Sequence, residues 1–255
     1  MRLDVYLQSR ELVKSRTRAK EYISLGRVKV NGNVVTKPSY ETTEADVVTL
    51  ESDSLEYVGR GAHKLEGALD AFCIDVAGAR CIDVGASTGG FTEVLLRRGA
   101  ASVTAVDSGH GQLDSSLRED RRVKNIEGCN ARYMSEQEVG SGYDIAVMDV
   151  SFISQTYIHQ ALFALLSPRG RLISLVKPQF ELDARSVGRG VVTQPEARYK
   201  ALVRVYDSVL LYGYRVSDAI VSSILGGDGN VEYLYLIERG EELPEIREKL
   251  RQLSK

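Results

Sequence analysis

The chain has 255 residues, 43% of them hydrophobic and 27% charged, with a formal net charge of -2, which suits a globular protein with one large and one small domain. No apolar run reaches the roughly 18 residues of a membrane-spanning helix, and the N-terminal stretch lacks the apolar segment of a secretory signal. Three cysteines without a CxxC pair suit a reducing compartment, so we expect a cytoplasmic protein without stable membrane insertion.

Charge is distributed unevenly at the start of the chain. Residues 1–37 carry nine Lys or Arg and three acidic residues, a net charge of +6, whereas 38–57 carry six acidic residues and no Lys or Arg. The spacing predicts two short helices in the first 25 residues, with Ser15 as the cap of the second and Gly26 as its end. Alternating strands around Asn31-Gly32 then give a strong hairpin signal, and "ADVVTL" adds a strand.

This order of a basic helix pair followed by "GRVKVNGNVV" resembles the small RNA-binding domain first known from ribosomal protein S-four. The resemblance implies an RNA-binding domain over 1–58, followed by a linker over 59–62. On charge alone, a solvated helix face is the alternative. The candidate RNA contacts are the basic residues Arg2, Arg16, Arg18, Lys20, Arg27 and Lys29.

The remaining segment, 63–255, alternates apolar runs with helical stretches. Its seven strand-like runs are "RCIDVGA", "SVTAVD", "VKNIEG", "YDIAVMDV", "GRLISLVKP", "RVSDAIVSSI" and "VEYLYLIER". Such alternation predicts an α/β domain with a mostly parallel sheet covered on both faces. The short connection before the last run predicts that the final strand is antiparallel. This pattern favours the Rossmann-like fold of class I methyltransferases.

The first of these strands runs into "DVGASTGGF", a glycine turn before a helix, where a ligand can approach the backbone closely. The turn lacks the spacing of dinucleotide and triphosphate sites. Asp83 before the first glycine suits the ammonium of S-adenosylmethionine (SAM), Asp107 suits ribose hydroxyls and Asn130 suits adenine. Asp83 and Asn130 also have a structural alternative, such as the cap of a turn. We predict SAM rather than NAD, with contacts at Asp83, Gly85, Ser87, Thr88, Gly89, Gly90, Phe91, Asp107, Asn130 and Asp149.

Two charged residues end neighbouring apolar strands, Asp149 in "AVMDVSF" and Lys177 in "SLVKP". The carboxyl ends of parallel strands meet at one edge of a sheet, so we expect the two side chains to pair there. A Lys–Asp pair beside a cofactor site is more typical of function than of a solvated surface. Arg185 and Arg189, in the following Gly- and Arg-rich stretch, are either phosphate contacts or solvent-exposed residues.

Other methyl transfers predict other residues after the fourth strand. Amine methylation of bases typically uses an Asn/Asp-Pro-Pro-aromatic motif, where this chain has "DVSF", and carbon-5 methylation needs a cysteine in a context that is absent here. The motifs "YVGRGAHKLEGAL", "DVGASTGGFTEVLL", "DVSFIS", "LVKPQFE" and "GNVEYL" resemble the TlyA family, which has the core of the FtsJ-like ribose methyltransferases.

The resemblance implies 2′-O-methylation of ribosomal RNA, with cytidine ribose in small- and large-subunit RNA as the usual target. It also implies a catalytic tetrad of Lys64, Asp149, Lys177 and Glu232, and no metal. Our hypothesis is that Lys177 accepts the hydroxyl proton, that the charge of Lys64 favours its neutral form, and that the two carboxylates orient the lysines. Because the family also carries the name haemolysin, a membrane-damaging protein is the alternative function. A SAM-binding RNA module without catalysis is a third.

Overall fold

The computed structural model describes residues 1–10, 12–13, 16–50, 57–183, 187, 190–227 and 229–255, with the backbone alone at 17, 18 and 21. The chain divides into two compact units, Met1–Glu56 and Tyr57–Lys255. Residues 59–62, expected to form a linker, belong to the second unit. The expected helix cap Ser15 and the two candidate phosphate contacts Arg185 and Arg189 lie outside the described residues.

The first unit contains the two predicted helices, α1 (Leu3–Ser9) and α2 (Arg16–Ser24), and a three-stranded antiparallel sheet. Its strands β1 (Val28–Val30), β2 (Asn33–Val34) and β3 (Val48–Leu50) lie in the order β2-β1-β3. Asn31 and Gly32 have φ values of 51° and 81°, as a tight hairpin turn requires at both central positions. The helices and β1 bury a small apolar core, which includes Leu3, Leu7, Ala19, Tyr22, Ile23, Val28 and Val30.

The second unit is a seven-stranded sheet with helices on both faces. Its strands are β4 (Arg80–Val84), β5 (Ser102–Val106), β6 (Val123–Ile126), β7 (Tyr143–Met148), β8 (Leu166–Val176), β9 (Tyr214–Val221) and β10 (Tyr233–Arg239). Its helices are α3 (Ala62–Ala71), α4 (Gly90–Arg97), α5 (Ser115–Arg118), α6 (Glu136–Val139), α7 (His159–Leu165), α8 (Pro178–Glu181), α9 (Pro195–Leu210) and α10 (Pro244–Leu253).

The strand order is β6-β5-β4-β7-β8-β10-β9. The five strands from β6 to β8 are parallel, whereas β10 lies between β8 and β9 and is antiparallel to both. The predicted sheet, with an antiparallel last strand, is confirmed. The order reverses between β4 and β7, so a crevice opens at the carboxyl ends of these two strands.

Separate apolar clusters cover the two faces of the sheet. In β7, Ala146 and Met148 join one cluster while Ile145 and Val147 join the other, because successive residues of a strand point to opposite faces. Full burial of a large apolar side chain contributes roughly 1.5–3 kcal/mol, so the strand interiors hold apolar residues and charges collect at their ends. Asp149 follows β7 and Lys177 follows β8 at such ends.

Candidate active site

The turn between β4 and α4 is built from residues with positive φ. Gly85 has a φ of 85°, and a Cβ placed on it would overlap the carbonyl oxygen of Asp149. Ser87 has a φ of 47°, a conformation that a non-glycine residue rarely adopts outside turns and functional sites. The turn therefore brings bare backbone to the crevice at the end of β4.

A cavity of about 520 Å³ opens beside this turn. The predicted cofactor contacts Gly85, Ser87, Asp107, Asn130 and Asp149 line it. The Asp107 carboxylate accepts hydrogen bonds from the Ser87 N–H at 2.8 Å and the Gly109 N–H at 2.7 Å. Other residues that line it, which include Gln112, Phe152, Ile153 and Ile158, were not predicted from the sequence.

A second cavity of about 200 Å³ shares the wall of the first. Gly85, Ser87, Asp149 and Ser151 line both. The predicted contacts Thr88, Gly90 and Phe91 line the second cavity, as do Lys177, Ala86 and the segment 59–61.

The segment 59–61 was expected to be a linker and was not predicted to take part in the site. A Cβ on Gly59 would lie 2.7 Å from Thr88 Oγ1, and one on Gly90 would lie 3.3 Å from the Gly59 carbonyl oxygen, so this segment packs closely against the glycine turn. The paired glycines Gly59 and Gly61 were the signal in the sequence that could have revealed this packing.

Asp83 and Gly89 line neither cavity. The Asp83 side chain is fully buried and its Oδ2 accepts a 2.7 Å hydrogen bond from Thr92 Oγ1, while its Oδ1 has no hydrogen-bond partner among the described residues. Burial raises the pKa of this carboxyl to about 7. Direct contact between Asp83 and a cofactor stays a prediction. In the structure, the Asp83 side chain contacts Thr92 in α4.

The four residues of the expected tetrad form two ion pairs. Lys177 Nζ lies 2.5 Å from Asp149 Oδ1 and donates a 2.9 Å hydrogen bond to Ser151 Oγ. Lys64 Nζ lies 2.5 Å from Glu232 Oε2, with the two side chains 10% and 3% exposed. The antiparallel register pairs Tyr233 with Val176, so Glu232 lies one step further along, beside Lys177.

Phe152 is 91% exposed although it lines the larger cavity. Its φ of 64° is unusual for a bulky residue, and such strained positions concentrate at ligand-binding sites. One side of its ring faces Phe180, with the ring centroids 5.1 Å apart. Nothing in "DVSF" predicts this conformation, because the motif has no glycine or asparagine at that position.

Two exposed tyrosines, Tyr133 and Tyr157, are close in sequence to the lining residues Ala131 and Ile158 of the larger cavity. The Arg132 guanidinium lies 4.9 Å from the Tyr157 ring centroid and 5.4 Å from that of Tyr133. These tyrosines are 51% and 68% exposed. Such stacked arginine and aromatic groups are typical of surfaces that bind unpaired nucleotides.

The predicted RNA contacts of the first unit differ in their surroundings. Arg2 Nε and Arg16 Nη2 donate hydrogen bonds of 2.9 and 3.0 Å to the buried Asp4 carboxylate. The hydrogen bond from Arg2 is the main reason that the Asp4 pKa falls to about 2. Both guanidinium groups remain about half exposed, at 45% and 50%. Lys20 is exposed, and Arg27 and Lys29 are partly buried, while the Arg18 side chain lies outside the described part of the chain.

No cluster of three His, Cys, Asp or Glu side chains with the geometry of a metal site occurs among the described residues. In the same part of the chain, no helix is long and apolar enough to cross a membrane.

Two family models match the chain. The model of the FtsJ-like methyltransferases matches residues 57–239, and the S4 domain model matches residues 1–48.

Known proteins resemble the chain over nearly its whole length. The "16S/23S rRNA (cytidine-2'-O)-methyltransferase TlyA" of Mycobacterium tuberculosis is 44% identical over 234 residues, which cover 91% of this chain and 87% of that protein. "Hemolysin A" of Brachyspira hyodysenteriae is 38% identical over 236 residues, covering 92% and 98%. The solved structure named "Putative hemolysin from Streptococcus thermophilus" gives a TM-score of 0.79 at 36% identity and covers 100% of this chain and 94% of that one.

Proposed function

Because the chain belongs to the family of FtsJ-like methyltransferases, we propose that it transfers a methyl group from SAM to a ribose 2′-hydroxyl of ribosomal RNA. Family membership and strand order confirm the predicted class I methyltransferase fold with an N-terminal S4 domain. The observation that carries the proposal is Lys177, which lines the smaller cavity and is held by Asp149 and Ser151, two residues of the wall that both cavities share. Cytidine is the proposed target nucleoside, since the relative from M. tuberculosis bears that activity in its name.

The larger cavity fits the nucleoside part of SAM. The Asp107 carboxylate accepts one backbone hydrogen bond on each oxygen, which leaves lone pairs that can accept from ribose hydroxyls. Asn130 and Gln112 line the same cavity and carry the amide groups that recognise a base edge. When bound, SAM supplies a methyl group on a positively charged sulfur. Gly85 lines both cavities, so a group bound there would lie against the backbone at the carboxyl end of β4.

Lys177 is the proposed proton acceptor. Its nitrogen can form three hydrogen bonds; it donates one to Ser151 and forms an ion pair with Asp149, which leaves a third direction for another group. The third direction can reach a hydroxyl placed at the shared wall. A ribose hydroxyl is a weak nucleophile, so fixing its oxygen in line with the methyl group supplies much of the rate. Transfer of the methyl group to this oxygen would break its bond to sulfur and leave a neutral thioether, while the hydroxyl proton moves to Lys177 Nζ and Asp149 stabilises the ammonium that results.

Lys64 and Glu232 have a positioning role in this proposal. Glu232 neutralises the Lys64 charge at 2.5 Å, so the buried pair adds no net charge near Lys177. The pair instead joins α3 to the start of β10 and fixes the Glu232 backbone beside Lys177. This differs from the role expected for Lys64, which was to repel the proton from Lys177.

Ribosomal RNA as the substrate is supported by the exposed aromatic groups around the site. Phe152, Tyr133 and Tyr157 offer ring faces on which unpaired bases stack, at about 1–3 kcal/mol per base. The half-exposed guanidinium groups of Arg2 and Arg16 are fixed by Asp4, which suits contacts with phosphates. An unpaired nucleotide presents its ribose hydroxyl to the shared wall more readily than a nucleotide within a helix.

The test compares Lys177→Met with the wild-type chain on purified ribosomal subunits and on free ribosomal RNA. We expect methyl transfer to fall by at least about 100-fold, because proton transfer and positioning are lost together. SAM affinity, measured by calorimetry, should change by less than about threefold, since Lys177 does not line the larger cavity. Lys249→Met is the matched control, because Lys249 pairs with Asp218 outside the site. Near-normal turnover of Lys177→Met, or product methylated on the base, would refute the proposal.

A further inference from the structure

A network of buried polar side chains joins two segments of the site that are distant in sequence. Glu181 Oε2 accepts a 2.5 Å hydrogen bond from Ser154 Oγ, and its Oε1 accepts a 3.0 Å bond from the Gln155 N–H. Gln155 Oε1 in turn accepts a 2.5 Å bond from Ser174 Oγ in β8. The four residues are between 0% and 6% exposed, so water does not compete for these bonds.

The network connects the loop after β7 to the end of β8. The same two segments also meet at the Asp149–Lys177 ion pair, the Ser151–Lys177 hydrogen bond and the ring contact between Phe152 and Phe180. On both segments, the residues of the buried network come a few positions after those that contact Lys177 or form its ion pair. Glu181 is the point where this second set of contacts converges on one side chain.

The loop needs such support because Phe152 has a positive φ of 64°. A bulky residue in this conformation is strained by about 1–3 kcal/mol and persists only where its surroundings fix it. On one side the backbone is fixed by β7, and on the other by Ser154 and Gln155, which both donate to Glu181. Without that carboxylate, the turn at 151–153 can relax and Ser151 can leave Lys177.

We propose that Glu181 is a positioning residue for methyl transfer, which holds the loop after β7 so that Ser151 and Asp149 fix the direction of Lys177. The inference rests on the proposed function, because it assigns Glu181 an effect on the step that Lys177 carries out. Glu181 lines neither cavity and is therefore not a catalytic residue itself. A second contact keeps its own backbone in place, since Arg204 Nη1 donates a 2.9 Å hydrogen bond to the Glu181 carbonyl oxygen.

The test uses the full chain and three variants of the network. In Glu181→Ala both acceptors are lost, and we expect kcat to fall by about 10- to 100-fold, the size of effect that a displacement of about 1 Å produces. In Glu181→Gln the amide oxygen can still accept from the Gln155 N–H, and the Ser154 hydroxyl can turn to accept from the amide. We therefore expect kcat within about threefold of wild type. Ser154→Ala removes one contact with little change in volume and should lower kcat by about tenfold even if Glu181→Ala does not fold.

Tyr143→Phe is the matched control. It removes the buried contacts of the Tyr143 hydroxyl with Thr104 Oγ1, at 3.0 Å, and with the Val139 carbonyl oxygen, at the opposite end of β7 from Asp149. It should lower the melting temperature as Ser154→Ala does, but leave kcat within about twofold, because the lost contacts are remote from Lys177.

Wild-type kcat in both Glu181→Ala and Ser154→Ala, measured well below their melting temperatures, overturns the inference. So does a Glu181→Gln variant as slow as Glu181→Ala, since charge rather than positioning would then matter. If Lys177→Met remains active, the proposed function itself fails. If Lys177→Met is inactive while the network variants are normal, only the role of Glu181 fails.

Discussion

The buried ion pair of Lys64 and Glu232 allows a sharp test of what the tetrad contributes to stability. Lys64 comes from α3 and Glu232 from the residue before β10, so the pair links parts of the chain separated by 168 residues. Removing either partner leaves the other charged and almost fully buried. We therefore expect Lys64→Met and Glu232→Met each to destabilise the second unit, and the double variant to recover much of the loss.

The magnitude follows from the burial of both groups. Breaking a buried pair by removing one partner lowers the free energy of unfolding by about 3–5 kcal/mol, whereas replacing both by apolar residues is often close to neutral. The Lys64 and Glu232 side chains are 10% and 3% exposed, so this ion pair counts as buried. For a domain of this size, the single variants should melt roughly 6–20 °C lower than the wild type, at ~2–4 °C per kcal/mol. The coupling energy should be at least about 2 kcal/mol.

Urea unfolding followed by circular dichroism measures these free energies for the four members of the cycle. Asp207→Asn is the control, because the Asp207–Arg247 pair is exposed, at 53% and 40%, and exposed pairs contribute about 0–1 kcal/mol. Methyl transfer is measured in parallel, and we expect the double variant to be stable but slow. If the double variant loses as much free energy of unfolding as the two single variants together, the two side chains do not act as a buried pair.

Three further outcomes are expected. Gly85→Ala should abolish SAM binding in calorimetry, because its Cβ would overlap the Asp149 carbonyl, whereas Gly78→Ala, with a similar φ of 73° but open space around it, should bind SAM normally. Burial raises the pKa of Asp83 from 3.8 to about 7, so its contribution to stability is full below pH 3.8 and is lost as the pH rises through 7. The wild type should lose up to about 4 kcal/mol relative to Asp83→Asn in urea unfolding over that range. Burial lowers the pKa of His159 from 6.5 to about 3, so stability should fall as the pH drops from 6.5 towards 3, and this slope should disappear in His159→Leu.

The sequence revealed the parts of the site that follow from strand periodicity. Seven apolar runs with helices between them predicted the sheet, and the charged residue after two of these runs predicted the contact between Asp149 and Lys177. Both predictions need only the local sequence of each strand and the rule that the carboxyl ends of parallel strands meet at one edge of the sheet. The glycine turn was equally visible, because no other residue is common where the backbone has positive φ.

The sequence did not reveal contacts that depend on packing between distant segments. Ser154, Gln155 and Glu181 look like ordinary loop residues, and only the fold shows that they are buried together. Ser174 was a weaker signal, since a serine within the apolar run of β8 needs a partner. Asp83 was predicted as a cofactor contact from its place before the glycine turn. That contact stays a prediction, and what the sequence did not reveal is the hydrogen bond that Asp83 accepts from Thr92 in α4.

The antiparallel insertion of β10 has a direct consequence for the site. A strand of seven residues is about 23 Å long, so its two ends lie at opposite edges of the sheet. If β10 ran parallel to β8, its start would lie at the edge far from Lys177, and Glu232 would be outside the site. Because β10 is antiparallel, its first residue pairs with Val176 and Glu232 lies at the edge where the parallel strands end. Lys177 therefore has an acidic residue on each neighbouring strand, Asp149 from the parallel side and Glu232 from the antiparallel side.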